Sequence, residues 1–214
     1  MYFIRVNITS KNVKWETKWS ADLEDAGTDI QWDMVWTSVH NKMINYKTQS
    51  SIWEMIHRNY ICGYILRQMN RGEGICKLCC NIEQNRTHIF MNCQVIHIVY
   101  QHFSYIITPL GPSAIEDIEK AFGIYEDLDT KASLRNYITY TIRHIVFRSR
   151  NLEILPNAVV ATILIKKIKL YMKLDLLEKL YFYRHKHKLE AFKEMFLMDN
   201  ILGRIENNEL VLSI

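Results

Sequence analysis

The chain has 214 residues, of which 49% are hydrophobic and 23% charged, a balance typical of a globular protein with a substantial core. It contains only 7 glycines and 3 prolines, which is few for an all-β protein dense in turns, so the composition favours helices. The net charge of +4 permits a polyanionic partner but does not require one.

Neither a membrane span nor a secretory signal is indicated by the sequence. The apolar stretch 158–165, which contains one threonine and is followed by Lys166 and Lys167, is far too short to span a bilayer. The start of the chain lacks an apolar run followed by a small-residue cleavage site. We therefore expect an intracellular protein, in the nucleus and cytoplasm, with no membrane partner and with thiols that stay mostly reduced.

The first 45 residues contain two pairs of tryptophans at the i, i+4 spacing, namely Trp15 with Trp19 and Trp32 with Trp36. Such pairs usually anchor a core. An amphipathic pattern over 28–44 predicts a short helix with Thr28 or Asp29 as its N-cap. Apolar positions then predict a second helix over 47–60, and Gly63 separates it from a third over 64–72.

Further helical segments are predicted in the second half of the chain. Residues 94–108 are apolar nearly all round, which predicts a buried helix. Ser113 and Glu116 have the spacing of a capping box, which would open a short helix over 114–122. Asp129 or Thr130 is expected to cap a longer helix that runs to about Arg150.

The last part of the chain continues the helical pattern. Pro156 marks a boundary, and residues 157–198 are predicted to be helical with a break near Tyr181. Residues 209–214 are either a short strand or a frayed end. The sequence as a whole thus predicts an all-α fold, an irregular bundle of about eight helices.

Four of the five cysteines and one histidine lie within the eighteen residues from Cys76 to Cys93. Cys76 and Cys79 have the C-x2-C spacing of a tight turn that places both sulfurs on one metal ion, with turn amides directed at the sulfurs. His88 and Cys93 complete the pattern C-x2-C-x8-H-x4-C. We predict one structural Zn2+ held by Cys76, Cys79, His88 and Cys93, with no open coordination position.

Two other residues compete with this ligand set. Cys80 has a less suitable spacing from Cys76 and, as the neighbour of Cys79, is expected to point elsewhere. His97 shares a helix face with Cys93 at i+4, but His88 completes the more regular pattern. On an ideal helix positions i and i+5 diverge by about 140°, so the chain must depart from a regular helix between His88 and Cys93. The alternative is a reduced, metal-free cysteine cluster in a core.

The same region resembles the zinc-binding segment that follows the reverse transcriptase in LINE-type (non-LTR) retrotransposon proteins. In that family a helix with an HR-x-Y element precedes a C-x2-C…H-x4-C site, and an apolar segment follows. Here the element is His57, Arg58 and Tyr60, and the site is Cys76, Cys79, His88 and Cys93. The resemblance is strongest over residues 46–103. Cys62-Gly63 stands where the family often has Thr-Pro, and Cys80 where glycine or a polar residue is common.

Motifs of the catalytic parts of such proteins are not present. The chain has no Tyr-x-Asp-Asp string of a polymerase palm, and none of its three prolines precedes an aspartate, as the nuclease of some relatives would require. The resemblance therefore implies a C-terminal, non-enzymatic region, either a fragment of a longer element or a stand-alone reading frame. It implies no small-molecule substrate. The implied partners are RNA or DNA and the reverse transcriptase core.

The basic residues are concentrated in the second half of the chain. Between Arg143 and Lys193 there are twelve lysines and arginines against four acidic residues, and clustered cations with nearby aromatic rings suit phosphate contact and base stacking. The solvated face of a helix pair is the competing interpretation. The predicted nucleic-acid contacts are Arg58, Arg67, Lys77, Arg143, Arg148, Arg150, Lys166, Lys167, Arg184, Lys186 and Lys188.

We therefore divide the chain into a Trp-containing helical segment (1–45), a zinc-binding region (46–108) and a basic helical region (109–214). The expected function is a non-catalytic nucleic-acid-binding module of a LINE-like reverse transcriptase, which holds element RNA or target DNA. The alternative is a structural zinc domain that docks on protein, such as the polymerase thumb, without touching nucleic acid.

Overall fold

Helices form almost all of the regular structure. The structure is a computed structural model that describes Trp19 and residues 30–80, 82–85, 87–150 and 155–214. Within those residues there are eight α-helices, which confirms the all-α prediction. They are α1 (Trp32–Val39), α2 (Tyr46–Ile56), α3 (Gly63–Gln68), α4 (Gln94–Ile107), α5 (Asp117–Phe122), α6 (Thr130–Ser149), α7 (Asn157–His185) and α8 (Leu189–Phe196).

Shorter elements connect and follow these helices. A π-helical turn spans His88–Asn92, and 3-10 turns span Thr108–Leu110 and Met198–Asn200. Near the end of the chain β1 (Gly203–Glu206) and β2 (Glu209–Leu212) form an antiparallel hairpin, with Gly203 opposite Leu212. Of the two alternatives for the chain end, a strand or a frayed segment, the strand is the observed one.

Helix α6 is the centre of the core, and seventeen of its twenty residues are buried. It packs against α2, α4 and α7, while α7 also packs against α4 and α8. The predicted cap is present: the Asp129 carboxylate accepts a hydrogen bond of 2.7 Å from the Ala132 amide. Residues of all three regions defined from the sequence contribute to one buried cluster.

Tryptophan contributes to this core as the sequence indicated. Trp19 is fully buried, donates its indole N–H to the Ile56 carbonyl at 2.7 Å, and meets the ring of Phe122 edge-on. Trp32 is half-buried and also lies edge-on to Phe122, so the two tryptophans hold one ring between them. Trp15 and the predicted caps Thr28 and Asp29 lie outside the described residues.

Several predicted helix boundaries are wrong. α1 ends at Val39 and not at 44, α2 ends at Ile56 and not at 60, and α3 ends at Gln68 and not at 72. α5 begins at Asp117 and not at 114, with Glu116 at the N-cap and no capping hydrogen bond from a side chain, so the expected capping box is absent at this helix. The helical stretch after Pro156 breaks at 186–188 rather than near Tyr181. The break occurs where His187 adopts a φ of 55° and the Lys188 amide donates back to the Tyr183 carbonyl at 2.8 Å.

The segment between α4 and α5 is held by a buried arginine of α6. Arg135 forms a two-point ion pair with Glu119, with Nε to Oε1 at 2.6 Å and Nη2 to Oε2 at 2.8 Å. Its remaining N–H groups donate to the carbonyls of Ile107, Pro112 and Ala114. Arg135 is fully buried, so one side chain supplies the hydrogen bonds of a connection that has little regular structure of its own.

Among the described residues, no helix combines the length and the apolar character that a membrane crossing requires.

Candidate metal centre

The turn from Cys76 to Cys80 forms the first half of the centre. The Cys80 amide donates to the Cys76 carbonyl at 2.7 Å, which closes the turn. The amides of Leu78 and Cys79 donate to the Cys76 sulfur, as the C-x2-C spacing predicted. Cys80 ends the turn with a φ of 57°, and its sulfur lies 3.7 Å from the Lys77 carbonyl oxygen. The turn therefore presents Cys76 and Cys79 to the centre and directs Cys80 away from it.

The π-helical turn His88–Asn92 forms the second half. Its i→i+5 periodicity brings residues five apart onto one side, which is the departure from regular helix that the His88–Cys93 spacing required. The Asn85 side chain accepts a hydrogen bond of 2.7 Å from the His88 amide and so sets the start of the turn. Cys93 has an extended conformation and is the residue before α4. Ile89, Phe90 and Met91 are buried and pack on the apolar side, as expected.

The four predicted ligands converge. One ligand atom from each of Cys76, Cys79, His88 and Cys93 lies within 4.8 Å of the other three, and all four residues are buried. The Cys79 sulfur is 3.3 Å from Nε2 of His88. A tetrahedral zinc site with Zn–S distances of 2.3 Å requires sulfurs about 3.8 Å apart. The cluster is therefore close enough to hold a metal ion in tetrahedral coordination.

The proximity of three buried thiols changes their acidity. A hydrogen bond from the Cys93 thiol is the main cause that lowers the pKa of Cys76 to about 3. The same hydrogen bond, together with burial, raises the pKa of Cys93 above its usual value. Negative charge on one sulfur thus opposes negative charge on its neighbours. A metal ion at the centre of the cluster offsets the repulsion between the thiolates, because its positive charge attracts all of them.

A glutamine that the sequence analysis did not identify connects this centre to α3. The Gln84 side-chain oxygen accepts from the Gly63 amide, and its backbone carbonyl accepts from the Tyr64 amide, both at 3.0 Å. The Gln84 amide donates to the Gly74 carbonyl at 2.8 Å. A Cβ on Gly63 would lie 2.5 Å from the Gly74 oxygen. Gly63 begins α3, and its missing side chain lets this helix approach the metal-ligand turn.

The rival ligands lie outside the cluster. His97 is exposed on α4, and neither it nor Cys80 belongs to the group of converging atoms. The exposure of His97 also corrects the expectation of a helix buried all round. Val95, Val99 and Phe103 are buried on one side of α4, whereas its other side is open to solvent.

A cleft with a volume of about 450 Å³ lies beside the metal-ligand turn. Leu66 and Ile75 provide apolar lining, and Arg71 and Lys77 provide positive charge. Cys80 and Glu73 also line this cleft. The predicted contact Lys77 is exposed, as its place inside the turn indicated.

Arg143 is inaccessible to a polyphosphate, and its prediction as a nucleic-acid contact is wrong. It is 2% exposed, and its guanidinium carbon lies 5.8 Å from the ring centre of Phe90 and 5.7 Å from that of Tyr140. Among the described residues its three nitrogens have no hydrogen-bond partner. Burial lowers the pKa of Arg143 below its ordinary value. The residue is part of the core.

This unusual burial leads to a stability prediction. We expect Arg143→Met to raise the free energy of unfolding by about 1–4 kcal/mol, because it replaces an unpaired buried charge with an apolar side chain of similar length. Urea unfolding followed by circular dichroism measures the change. Arg148→Met, an exposed site on the same helix, is the control and should stay within about 0.5 kcal/mol of wild type. A clear loss of stability in Arg143→Met would show that the guanidinium is stabilised by a partner.

The other predicted nucleic-acid contacts differ in how exposed they are and in whether they already have a partner within the protein. Arg150 is half-buried, with its guanidinium carbon 4.1 Å from the ring centre of Phe147 and Nη1 donating to the Phe147 carbonyl. Arg58 lies over the ring of Trp19, and Arg67 pairs with Glu83 at 2.7 Å. Arg184 is half-buried and donates to the Asn208 carbonyl. The exposed members of the predicted set are Lys77, Arg148, Lys166, Lys167, Lys186 and Lys188, together with the ion-paired Arg67.

Comparisons with known proteins do not assign this chain to a family. No match was found among models of protein families, among curated proteins or among solved structures. The resemblance to the LINE-type zinc-binding segment thus depends only on the motif residues described from the sequence.

Proposed function

We propose that Cys76, Cys79, His88 and Cys93 bind one structural zinc ion. The convergence of three buried sulfurs and one imidazole nitrogen within 4.8 Å supports this proposal. Thiolate and imidazole donors in a tetrahedron suit zinc, whereas magnesium and calcium prefer oxygen donors. All four positions are taken by protein side chains, so the ion has no place for a substrate or water and its role is structural.

The proposed function is that of a non-catalytic nucleic-acid-binding module, of the kind that follows the polymerase in LINE-like reverse transcriptases. The zinc ion joins the turn after α3 to the start of α4 and so stabilises the helical scaffold. The arrangement of the HR-x-Y element and the four ligands supports the family, because each ligand predicted from that pattern belongs to the observed cluster. The implied partners are element RNA or target DNA, and the reverse transcriptase core.

Exposed cations are the groups that would contact phosphate. Lys166 and Lys167 lie on α7, Lys186 and Lys188 follow its end, and all four are exposed. Lys77 extends from the metal-ligand turn at the edge of the cleft. Arg143 is buried and Arg150 stacks on Phe147. The phosphate-binding surface therefore consists mainly of lysines, which act as point charges, and not of arginines that form two parallel hydrogen bonds to phosphate.

A specific observation favours the second candidate function, in which this zinc domain docks on protein. Large apolar side chains, including Leu170 and Leu174, are exposed on α7 between the lysines. A surface used only for phosphate contact has no need of them, whereas a protein interface does. The two functions are separable by experiment.

Salt dependence of binding tests the nucleic-acid proposal. With zinc-loaded full chain and a single-stranded RNA or DNA oligonucleotide, we expect affinity in gel shifts to fall steeply as salt rises. Each phosphate contact contributes a slope of about −0.7 in log K against log salt. Lys166→Gln with Lys167→Gln removes two contacts, so it should reduce the slope by about 1.4 units and weaken binding to all sequences alike.

The matched control removes the same charge elsewhere. Lys42 and Lys131 are exposed and lie outside the proposed surface, so Lys42→Gln with Lys131→Gln should leave the slope unchanged. Weak binding with a flat slope for wild type would contradict the nucleic-acid function and favour docking on protein. Equal losses in the two double variants would show that only net charge matters.

A further inference from the structure

An apolar stripe runs along the solvent side of α7. Leu170, Leu174, Leu177 and Tyr181 are exposed by 57%, 58%, 38% and 76% of their surface. They are spaced by four, three and four residues, so they lie on one face of the helix. The buried residues of the same stretch, Ile168, Met172, Leu176 and Leu180, occupy the side that packs on the core. The stripe therefore has no role in holding α7 to the protein.

The spacing of this α7 stripe is that of a heptad seam. With Leu174 and Tyr181 at a positions, Leu170 and Leu177 fall at d positions. The four residues extend along about 17 Å of helix, at 1.5 Å per residue. Three leucines and a tyrosine with such a regular arrangement fit the groove and ridge pattern of a second helix. A contiguous apolar surface of this kind marks an interaction site.

The charges around the α7 stripe are mainly positive. Lys173 occupies the g position and Glu178 the e position, while Lys167 and Arg184 take the next seam positions at either end. Lys166 lies beside the stripe on the same side as Lys173. Lys166, Lys167 and Lys173 are exposed, whereas Arg184 is half-buried. The surface around the stripe thus has four cations and one acid.

This charge pattern disfavours a second copy of the chain. A parallel pair would place Lys167 against Lys167 and Arg184 against Arg184 of the other copy. An antiparallel pair would bring the sides that bear Lys166 and Lys173 together. Like charges opposed across a helix pair lower affinity. In a parallel pair Lys173 of one copy would attract Glu178 of the other, but the like charges at both ends of the seam oppose this pairing. A partner with acidic residues beside its apolar seam meets the lysines with opposite charge instead.

We propose that the α7 stripe binds an amphipathic helix of a partner protein whose apolar seam is flanked by glutamate or aspartate. The leucines would be covered by the partner's seam, and Tyr181, at the end of the stripe, has the residue type most often found at binding hot spots. Lys166 and Lys173 select the acidic flank. The proposal extends the second candidate function and does not depend on nucleic-acid binding by the same chain.

The probe is a synthetic helical peptide of about four heptads with leucine at a and d and glutamate at e and g. Fluorescence anisotropy with the zinc-loaded full chain should show saturable binding. Leu174→Gln with Leu177→Gln should weaken it by about tenfold or more, which corresponds to the loss of two seam contacts. A peptide with lysine at e and g should bind at least about tenfold more weakly than the acidic one.

Controls separate this surface from others. Val211→Gln changes an exposed apolar residue on β2 and should leave peptide binding unchanged. The leucine double variant carries no new charge, so its gel shifts with nucleic acid should match wild type.

Four results would overturn the proposal. Two concern the peptides: the acidic peptide does not bind, or the acidic and basic peptides bind equally well. In the third, sedimentation shows that the wild-type chain is a dimer and the leucine variant is not. In the fourth, the wild-type chain binds phosphatidylserine vesicles and, among the variants, only the leucine variant does not. The third result assigns the stripe to a second copy, and the fourth assigns it to a membrane surface.

Discussion

Replacing Cys76 or His88 by serine or alanine is expected to remove the metal ion and to lower the free energy of unfolding by about 4 kcal/mol or more. The reason is that metal binding and folding are coupled, because the four ligands come from two separate turns and the ion joins one turn to the other. Without the ion, the hydrogen bond to Cys76, together with burial and the negative charge of the neighbouring sulfurs, disfavours ionisation of Cys93 and raises its pKa. Chelation of the metal from wild type should have the same effect.

Removal of the metal ion should destabilise the region around the cluster more than the rest of the protein. Hydrogen exchange measured by mass spectrometry should rise most over residues 70–100, which contain both turns and the strand-like bridge between Ile75 and Glu83. α6 and α7, which pack on each other, should be protected longer, except where Phe147 of α6 meets Phe90 of the π-helical turn. Elemental analysis of the purified chain gives the zinc content. Substitution by cobalt should give the thiolate-to-metal absorption bands of a tetrahedral site.

Cys80 provides the matched control, because it is the same residue type one position from a ligand. Its sulfur is directed at the Lys77 carbonyl, so Cys80→Ser should keep the metal and lose little stability. Cys79→Ser should lose both. Equal zinc loss from the two variants would show that the ligand assignment is wrong. Purified protein that folds normally without any zinc would remove the metal site altogether.

The local parts of this centre could be predicted because short segments determine them. The C-x2-C turn and the His88–Cys93 spacing each depend on fewer than ten neighbouring residues, and a tetrahedral ion imposes the same geometry in any fold. The helix cap at Asp129 is local in the same sense. The ligand set and the all-α fold therefore follow from the sequence, together with the departure from regular helix after His88.

The wrong predictions concern contacts between distant segments. The sequence placed Arg143 in a helix correctly, but the helical pattern did not show that its side chain packs inside the protein. The burial of Arg143 depends on Phe90, which lies more than fifty residues earlier in the chain. Gln84 gave no signal either, because a single glutamine in a loop does not reveal that its side chain accepts from the Gly63 amide.

Arg135 is the second residue whose replacement should have a large effect. We expect Arg135→Met to lower the free energy of unfolding by about 3–5 kcal/mol. The substitution leaves the buried carboxylate of Glu119 without its counter-charge, and it leaves the carbonyls of Ile107, Pro112 and Ala114 without a donor. Each buried acceptor that loses its partner costs about 1–3 kcal/mol before the structure relaxes.

Two further variants separate the ion pair from the carbonyl contacts. Arg135→Met with Glu119→Leu removes both charges, so it should recover part of the loss, but not all of it, because the three carbonyls stay unpaired. Arg135→Lys keeps the charge but replaces a planar fork of five donors with a single ammonium, so it should also destabilise the protein. Urea unfolding of the four proteins, wild type included, gives the energies, and hydrogen exchange over 108–116 locates the change. A loss below about 1 kcal/mol in Arg135→Met would mean that water replaces the guanidinium at these acceptors, and that the segment between α4 and α5 keeps its position without it.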